Sequence, residues 1–311
     1  MNDPDLLSKF NRLTVWRRGG ERAPHKPLLA LYSLGKAVRD EKRLVEFEEV
    51  SENLLRLLND FGPERKNHRP EYPFWRMQND GIWEVKSPEK SEWNINKSGD
   101  VKKSELIRYN AFGGFTETVY QEIKKDPTLF KKITQKLLDD NFPPSIHEDI
   151  LQAVGIDLAA DAAVVQRRNP EFRNRVLRAY EYRCAICGFD IRIDHNPIGL
   201  EAAHIKWHTA GGPDEESNGL ALCVLHHKLF DRGAFTLSNQ LEVLVSDRAN
   251  GTASFNDWLL KYHGKKLAAP HRKTYQPEMV FRDWHVREVF RGEVRELPET
   301  GTHPSSGFGY R

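Results

Sequence analysis

All three cysteines of this 311-residue chain fall in two short knuckles, and no other feature restricts its folding as strongly. Cys184 and Cys187, in YRCAICG, have the spacing by which two thiolates on one tight turn reach a single tetrahedral zinc ion. Cys223 and His226, in LCVLHH, repeat that spacing with imidazole as the fourth ligand. A lone CxxC would also suit a redox pair or buried unmetallated thiols. Two knuckles that use every cysteine favour structural Zn2+ held by Cys184, Cys187, Cys223 and His226.

His227 follows His226 directly. If a helix begins near Cys223, adjacent side chains point about 100° apart, so the two rings cannot face one ion. One histidine is expected to turn toward zinc and the other toward a second site. Upstream, LEAAHIKWH reads as a β-like run ending in His204, and Asn218 closes the glycine-containing loop TAGGPDEESNG.

The ordered set His204, Asn218 and His227 within CxxC and CxxH knuckles resembles the HNH nuclease family, which has a ββα-metal fold. The resemblance covers about residues 167–245 and rests on EAAHI, NGLALC, HHKLFDRGAF and the knuckles. It implies that His204 is the general base, that Asn218 holds the active-site loop, and that His227 binds a catalytic Mg2+ or Mn2+ ion. The chemistry is coherent: neutral imidazole near pH 7 activates water, while a hard cation offsets charge building on the scissile phosphate. Many HNH sites carry an acidic ligand just before the first histidine, where this chain has Ala203. Glu201, His208 and a water molecule are the candidates for the second ligand. Asp231 is read as a turn cap or histidine partner with a structural role, and His285 as a packing histidine outside the site. The competing reading is a non-catalytic, zinc-stabilised DNA-binding module.

The first half reads as mainly helical. Helices are expected over residues 5–14, through PLLALYSLGKAV with Pro27 in the first turn, and over 52–58. Asn79-Asp80-Gly81 between apolar runs signals a hairpin turn. Two further helical stretches, 104–110 and 115–138, are separated by Gly113-Gly114. A double proline and a run of small residues place the domain boundary within 141–163, giving domains 1–150 and 151–311. The last residues, PETGTHPSSGFGYR, read as a flexible tail.

RAPHKPLLALYSLG, RPEYPFWRMQNDGIWEV and SELIRYNAFGGF resemble signature stretches of the sulfur-binding domain in modification-dependent, McrA-like restriction endonucleases. That resemblance implies double-stranded, phosphorothioated DNA as the partner. Sulfur is larger and a poorer hydrogen-bond acceptor than the oxygen it replaces, so an apolar cup discriminates between them. Tyr72, Pro73 and Phe74 are the expected cup, with Arg22, His25, Lys26 and Arg76 on the surrounding phosphate oxygens. The alternative is that residues 72–75 form a core strand with Pro73 at its edge. Trp75 and Trp83 are assigned to packing, and the arginine-rich helix over 172–183 to phosphate contacts.

The fold expected is therefore α+β: a mainly helical recognition domain followed by a ββα-metal HNH nuclease domain with structural zinc. A net charge of +2 is too small to establish nucleic-acid binding, so local clustering must carry it. No apolar run reaches the roughly 18 to 20 residues a membrane span needs, and MNDPDLLSKF lacks the plan of a signal peptide; a cytoplasmic protein is expected. One site per chain cannot readily cut two strands at once, which makes a homodimer the simplest arrangement. A methylated base is the alternative modification to be read.

Overall fold

The computed structural model describes residues 3–13, 21–90, 92–158 and 170–296. The C-terminal tail and the last five residues of the expected domain boundary, 159–163, lie outside these residues.

The first half is built around helix α2 (His25–Arg39), which follows α1 (Asp3–Asn11). From Pro27 to Gly35 every residue of α2 is buried, because a helix apolar on nearly all faces must be surrounded. It is enclosed by α3 (Phe47–Phe61), α4 (Glu71–Arg76), α6 (Glu117–Lys125), α7 (Pro127–Asn141) and α8 (His147–Val154). Helix α7 starts sharply: Asp126 accepts hydrogen bonds from the Thr128 and Leu129 amides, and Pro127 occupies the first turn. The short α5 (Lys103–Arg108) precedes the last strand of the half.

Three antiparallel strands, β1 (Leu44–Glu46), β2 (Trp83–Lys86) and β3 (Phe112–Phe115), pair in the order β1-β3-β2. Gly113 and Gly114 therefore lie inside the central strand and do not separate two helices. Their lack of a side chain is what the packing requires. A Cβ on Gly113 would sit 2.5 Å from the Phe74 ring, and one on Gly114 would sit 1.8 Å from the Arg43 carbonyl oxygen.

The Asn79-Asp80-Gly81 segment is likewise no hairpin. Residues Met77–Asp80 form a 3₁₀ turn running on from α4, and Gly81, at φ 72°, redirects the chain into β2. Residues 72–75 are helical, not a strand, and Pro73 falls in the first turn of α4, where its missing N–H costs little.

The second half opens with α9 (Pro170–Ala179) and a small hairpin, β4 (Arg192–Ile193) with β5 (Asn196–Pro197). Strands β6 (Leu200–His204) and β7 (Gly219–Cys223) pair antiparallel and lead into α10 (Val224–Asp231), a ββα unit. Strands β8 (Phe235–Leu237) and β9 (Val243–Val245), then α11 (Ala253–Trp258) and α12 (Met279–Glu288), complete the fold.

Each half has its own apolar core, and Trp207, Trp284 and Val289 of the second half pack into the core of the first. Among the described residues, no helix is long and apolar enough to cross a membrane.

Candidate functional site

The β6–β7 register sets Leu200 opposite Cys223 and His204 opposite Gly219. Strand alternation puts Glu201 and Ala203 on one face and Ala202 and His204 on the other. On the second face, His204 stacks on Phe172 of α9, centroids 4.0 Å apart and planes 15° from parallel. Its Nε2 lies 2.8 Å from Asp214 Oδ1 in the loop between the strands. Burial lowers the His204 pKa below its ordinary value, against the opposing pull of Asp214. The imidazole is thereby kept neutral near pH 7. With Nε2–H given to Asp214, the lone pair resides on Nδ1.

Asn218 is fully buried and ties that loop to itself. Its Oδ1 accepts from the Lys206 amide at 2.8 Å, while its Nδ2 donates to the carbonyls of Lys206 and Pro213 at 3.0 and 2.9 Å.

On the other face, Glu201 Oε2 lies 2.6 Å from His227 Nδ1, and Asp231 Oδ2 lies 3.0 Å from His227 Nε2. Asp231 is one turn on from His227 along α10 and 1% exposed at its side chain, against 34% for Glu201. The charge of Asp231 also acts on His204, so both histidines share one electrostatic neighbourhood. His208 is exposed, with its ring 5.9 Å from that of His204.

His226 points away from His227. Its Nδ1 is 3.1 Å from Cys223 Sγ and 3.7 Å from Cys184 Sγ, and Cys187 Sγ is 4.0 Å from Cys223 Sγ. All four ligand atoms lie within 4.8 Å of one another. Tetrahedral zinc with bonds of about 2.3 Å has edges of about 3.8 Å, so the set fits a structural ion. The electrostatics are compatible: Cys184 is driven toward the thiolate while Cys223 beside it is held protonated, and a shared cation would favour the thiolate form of both. Burial opposes the charged form of His226, but the hydrogen bonds it donates to the sulfurs outweigh it and raise its pKa to about 9, a proton that a zinc ion would displace. His226 Nε2 sits 2.8 Å from the Trp258 carbonyl, the outer contact that orients a ligating imidazole.

In the first half, His25 at the start of α2 and His68, four residues before Tyr72 in sequence, lie with rings 5.8 Å apart, and α2 packs against α4. Burial first, and then His68 and Arg65, hold the His25 pKa down at about 4, so this ring is neutral. Lys26 pairs with Asp80 at 2.5 Å. Arg76 lies 4.7 Å over the Tyr72 ring and binds both oxygens of Asp100 at 2.6 Å.

Two expected contact residues are placed elsewhere. Phe74 is fully buried, edge-on to Phe47 at 4.8 Å and to Trp83 at 5.9 Å, so it backs the α4 surface and does not form it. Arg22 is 9% exposed; it donates to the carbonyls of Glu288 and Phe61 and lies 3.9 Å over Trp207. The arginines of α9 are also partly committed, Arg173 to the Leu200 carbonyl and Arg175 to that of Asp214. His68, Asp214 and Phe172 carried no sequence signal as site residues, since each meets its partner only through the fold.

A sequence profile described as ScoMcrA-like, DNA sulfur-binding domain matches residues 3–159, half of the chain. The chain belongs to this family. A second profile, HNH endonuclease, matches residues 184–238, which hold the Cys3His cluster and both carboxylate-bound histidines. The protein is thus an HNH-type endonuclease with an N-terminal DNA sulfur-binding domain.

Solved structures with likeness to it include the sulfur-binding domains of ScoMcrA and SprMcrA, each complexed with phosphorothioated DNA. The first is 21% identical over 48% of this chain and 94% of that one, with a TM-score of 0.43. The second is 18% identical over 50% and 95%, also at 0.43. The type IV phosphorothioation-dependent restriction endonuclease ScoMcrA is 21% identical over 46% of this chain and 28% of that one, at 0.39. No curated protein matches.

Proposed function

We propose that this protein is a modification-dependent restriction endonuclease that binds phosphorothioated double-stranded DNA and hydrolyses phosphodiester bonds near the modification. One observation carries the reading: in a chain that joins a DNA sulfur-binding domain to an HNH endonuclease domain, two histidines are each held by carboxylates around strand β6. The working division is 1–150 for recognition and 151–311 for cleavage.

His204 is the general base. Asp214 holds Nε2–H, Phe172 fixes the ring plane, and Nδ1 takes the proton from the attacking water. Asn218 keeps the loop that carries Asp214 in place. Glu201 and His227 offer a hard oxygen and an imidazole nitrogen suited to Mg2+ or Mn2+, and Glu201 stands in for the acidic ligand absent at Ala203. When bound there, such an ion offsets negative charge developing on the phosphate and the leaving oxygen. Cys184, Cys187, Cys223 and His226 hold Zn2+ as a structural ion.

At the recognition surface, Tyr72 and Pro73 supply the apolar face for sulfur, with Phe74 supporting from the core and His25, its ring against His68, on the phosphate oxygens. Lys26 and Arg76 serve DNA phosphates from their carboxylate pairs. A homodimer supplies one active site to each strand of the duplex.

The test compares two otherwise identical plasmids, one phosphorothioated, in Mn2+ buffer, with His204→Ala as control. Selective cutting of the sulfur-bearing plasmid, lost in the variant, supports both halves of the reading. Equal cutting of both discards the sulfur reader, and a preference for methylated DNA replaces sulfur with a base mark. No cutting of any substrate overturns the nuclease.

A further inference from the structure

Helix α10 carries His227, and residues of the sulfur-binding half grip it at two levels. Lys228 Nζ lies 2.8 Å from Asp149 Oδ1, and Arg232 Nε lies 3.9 Å from Asp149 Oδ2. Between them Asp231 accepts a hydrogen bond from Ser145 Oγ through Oδ2 and one from Trp207 Nε1 at 3.0 Å through Oδ1. Its Oδ2 is also 3.0 Å from His227 Nε2. A carboxylate with a side chain 1% exposed is costly unless satisfied, and here three donors from three segments satisfy it. Ser145 and Asp149 both lie within the span matched by the sulfur-binding profile, whereas Trp207 and Asp231 lie within the HNH span.

We propose that Asp231 is a positioning residue for the cation site, holding Nε2–H of His227 so that Nδ1 faces the ion beside Glu201, and that the sulfur-binding half completes this support through Ser145. The proposal rests on the reading of Glu201 and His227 as cation ligands. Its physical basis is general: a ligating histidine needs its second nitrogen pinned, both to fix the tautomer and to orient the ring. Asp231 does so from a site that is itself closed only when Ser145 is docked. The recognition half therefore contributes a side chain to the nuclease centre as well as tethering it to DNA. Trp207 adds a second link, because Arg22 covers its indole three residues before His25.

The test uses the full-length, zinc-loaded protein and titrates Mn2+ by the electron paramagnetic resonance signal of the free ion. Wild type, Glu201→Gln, Asp231→Asn and Ser145→Ala are compared, with zinc content and thermal melting measured alongside. Loss of the second-sphere contact is expected to weaken Mn2+ binding about ten- to a hundredfold in Asp231→Asn. Ser145→Ala is expected to show a smaller loss in the same direction, and both variants should keep full zinc content. If Asp231→Asn does not fold, Ser145→Ala decides, because removing one half-buried hydroxyl leaves the fold intact. Wild-type Mn2+ affinity in the folded variants, with loss in Glu201→Gln, overturns the role of Asp231 and spares the ligand assignment. A wild type that binds no Mn2+ beyond its zinc overturns the ligand assignment, and this proposal with it.

Discussion

Phe172 stacks on His204 almost face to face, so the helix that opens the nuclease half fixes the plane of its proposed base. His204→Ala should lower cleavage by about 10²- to 10⁴-fold while DNA binding and zinc content stay unchanged. Phe172→Ala should lower kcat more than it raises KM, because the ring loses orientation and not its proton affinity alone. Because burial depresses the His204 pKa, the acid limb of kcat/KM should fall below the ordinary histidine value of 6.5, with a plateau by pH 7. A limb centred above 6.5 would show that His204 is not the group titrating.

Adjacent histidines should fail in different ways. His226→Ala removes one of the four proposed zinc ligands and should lower zinc content and melting temperature together. His227→Ala should give a folded, zinc-replete protein that binds DNA and does not cut it. Metal analysis, melting curves and a nicking assay on the same preparations separate the two.

Arg22 belongs to the junction between the halves, where it donates to the carbonyls of Glu288 and Phe61. Arg22→Ala should cost on the order of 3 kcal/mol of stability, as expected for emptying a buried charged position. The slope of log Kd against log salt for DNA should not change, since no phosphate contact is lost. Anisotropy titrations at several salt concentrations measure that slope; a decrease of about one would return Arg22 to the DNA surface.

Phe74 occupies the place where β3 has no side chains. Phe74→Ala should destabilise the first half by about 3 to 5 kcal/mol, the cost of an unfilled aromatic cavity. Phosphorothioate binding per folded molecule should survive, and a denaturant titration followed by a binding assay distinguishes these effects.

His285 is fully buried, with Nε2–H donated to the Phe230 carbonyl at 3.1 Å and Nδ1 2.9 Å from Thr236 Oγ1. Burial lowers its pKa to about 4. An unfolded chain takes up this proton near pH 6.5 and the native one only near 4, so between those values the unfolded state binds more protons. Stability should fall as pH drops across that window, by on the order of 3 kcal/mol from this group. His285→Gln should show a shallower acid dependence by denaturant unfolding.

The features that could be read from the sequence are those with short-range causes. The knuckles place four ligands at two fixed spacings, and the angle between His226 and His227 follows from the rotation of about 100° per helical residue. Apolar saturation of PLLALYSLG marked a buried helix without reference to any partner. Tertiary structure decided everything that pairs distant residues: Asp214 with His204, Glu201 with His227 across 26 positions, Ser145 with Asp231 across 86, and Arg22 with Glu288 across 266. It also turned Gly113-Gly114 into a strand and residues 72–75 into a helix, because the Phe74 ring needs a surface free of side chains and the two glycines provide one. Local spacing fixes which donors and acceptors a segment carries. Which of them meet is settled only when apolar faces close over the polar groups and each buried one must find a partner.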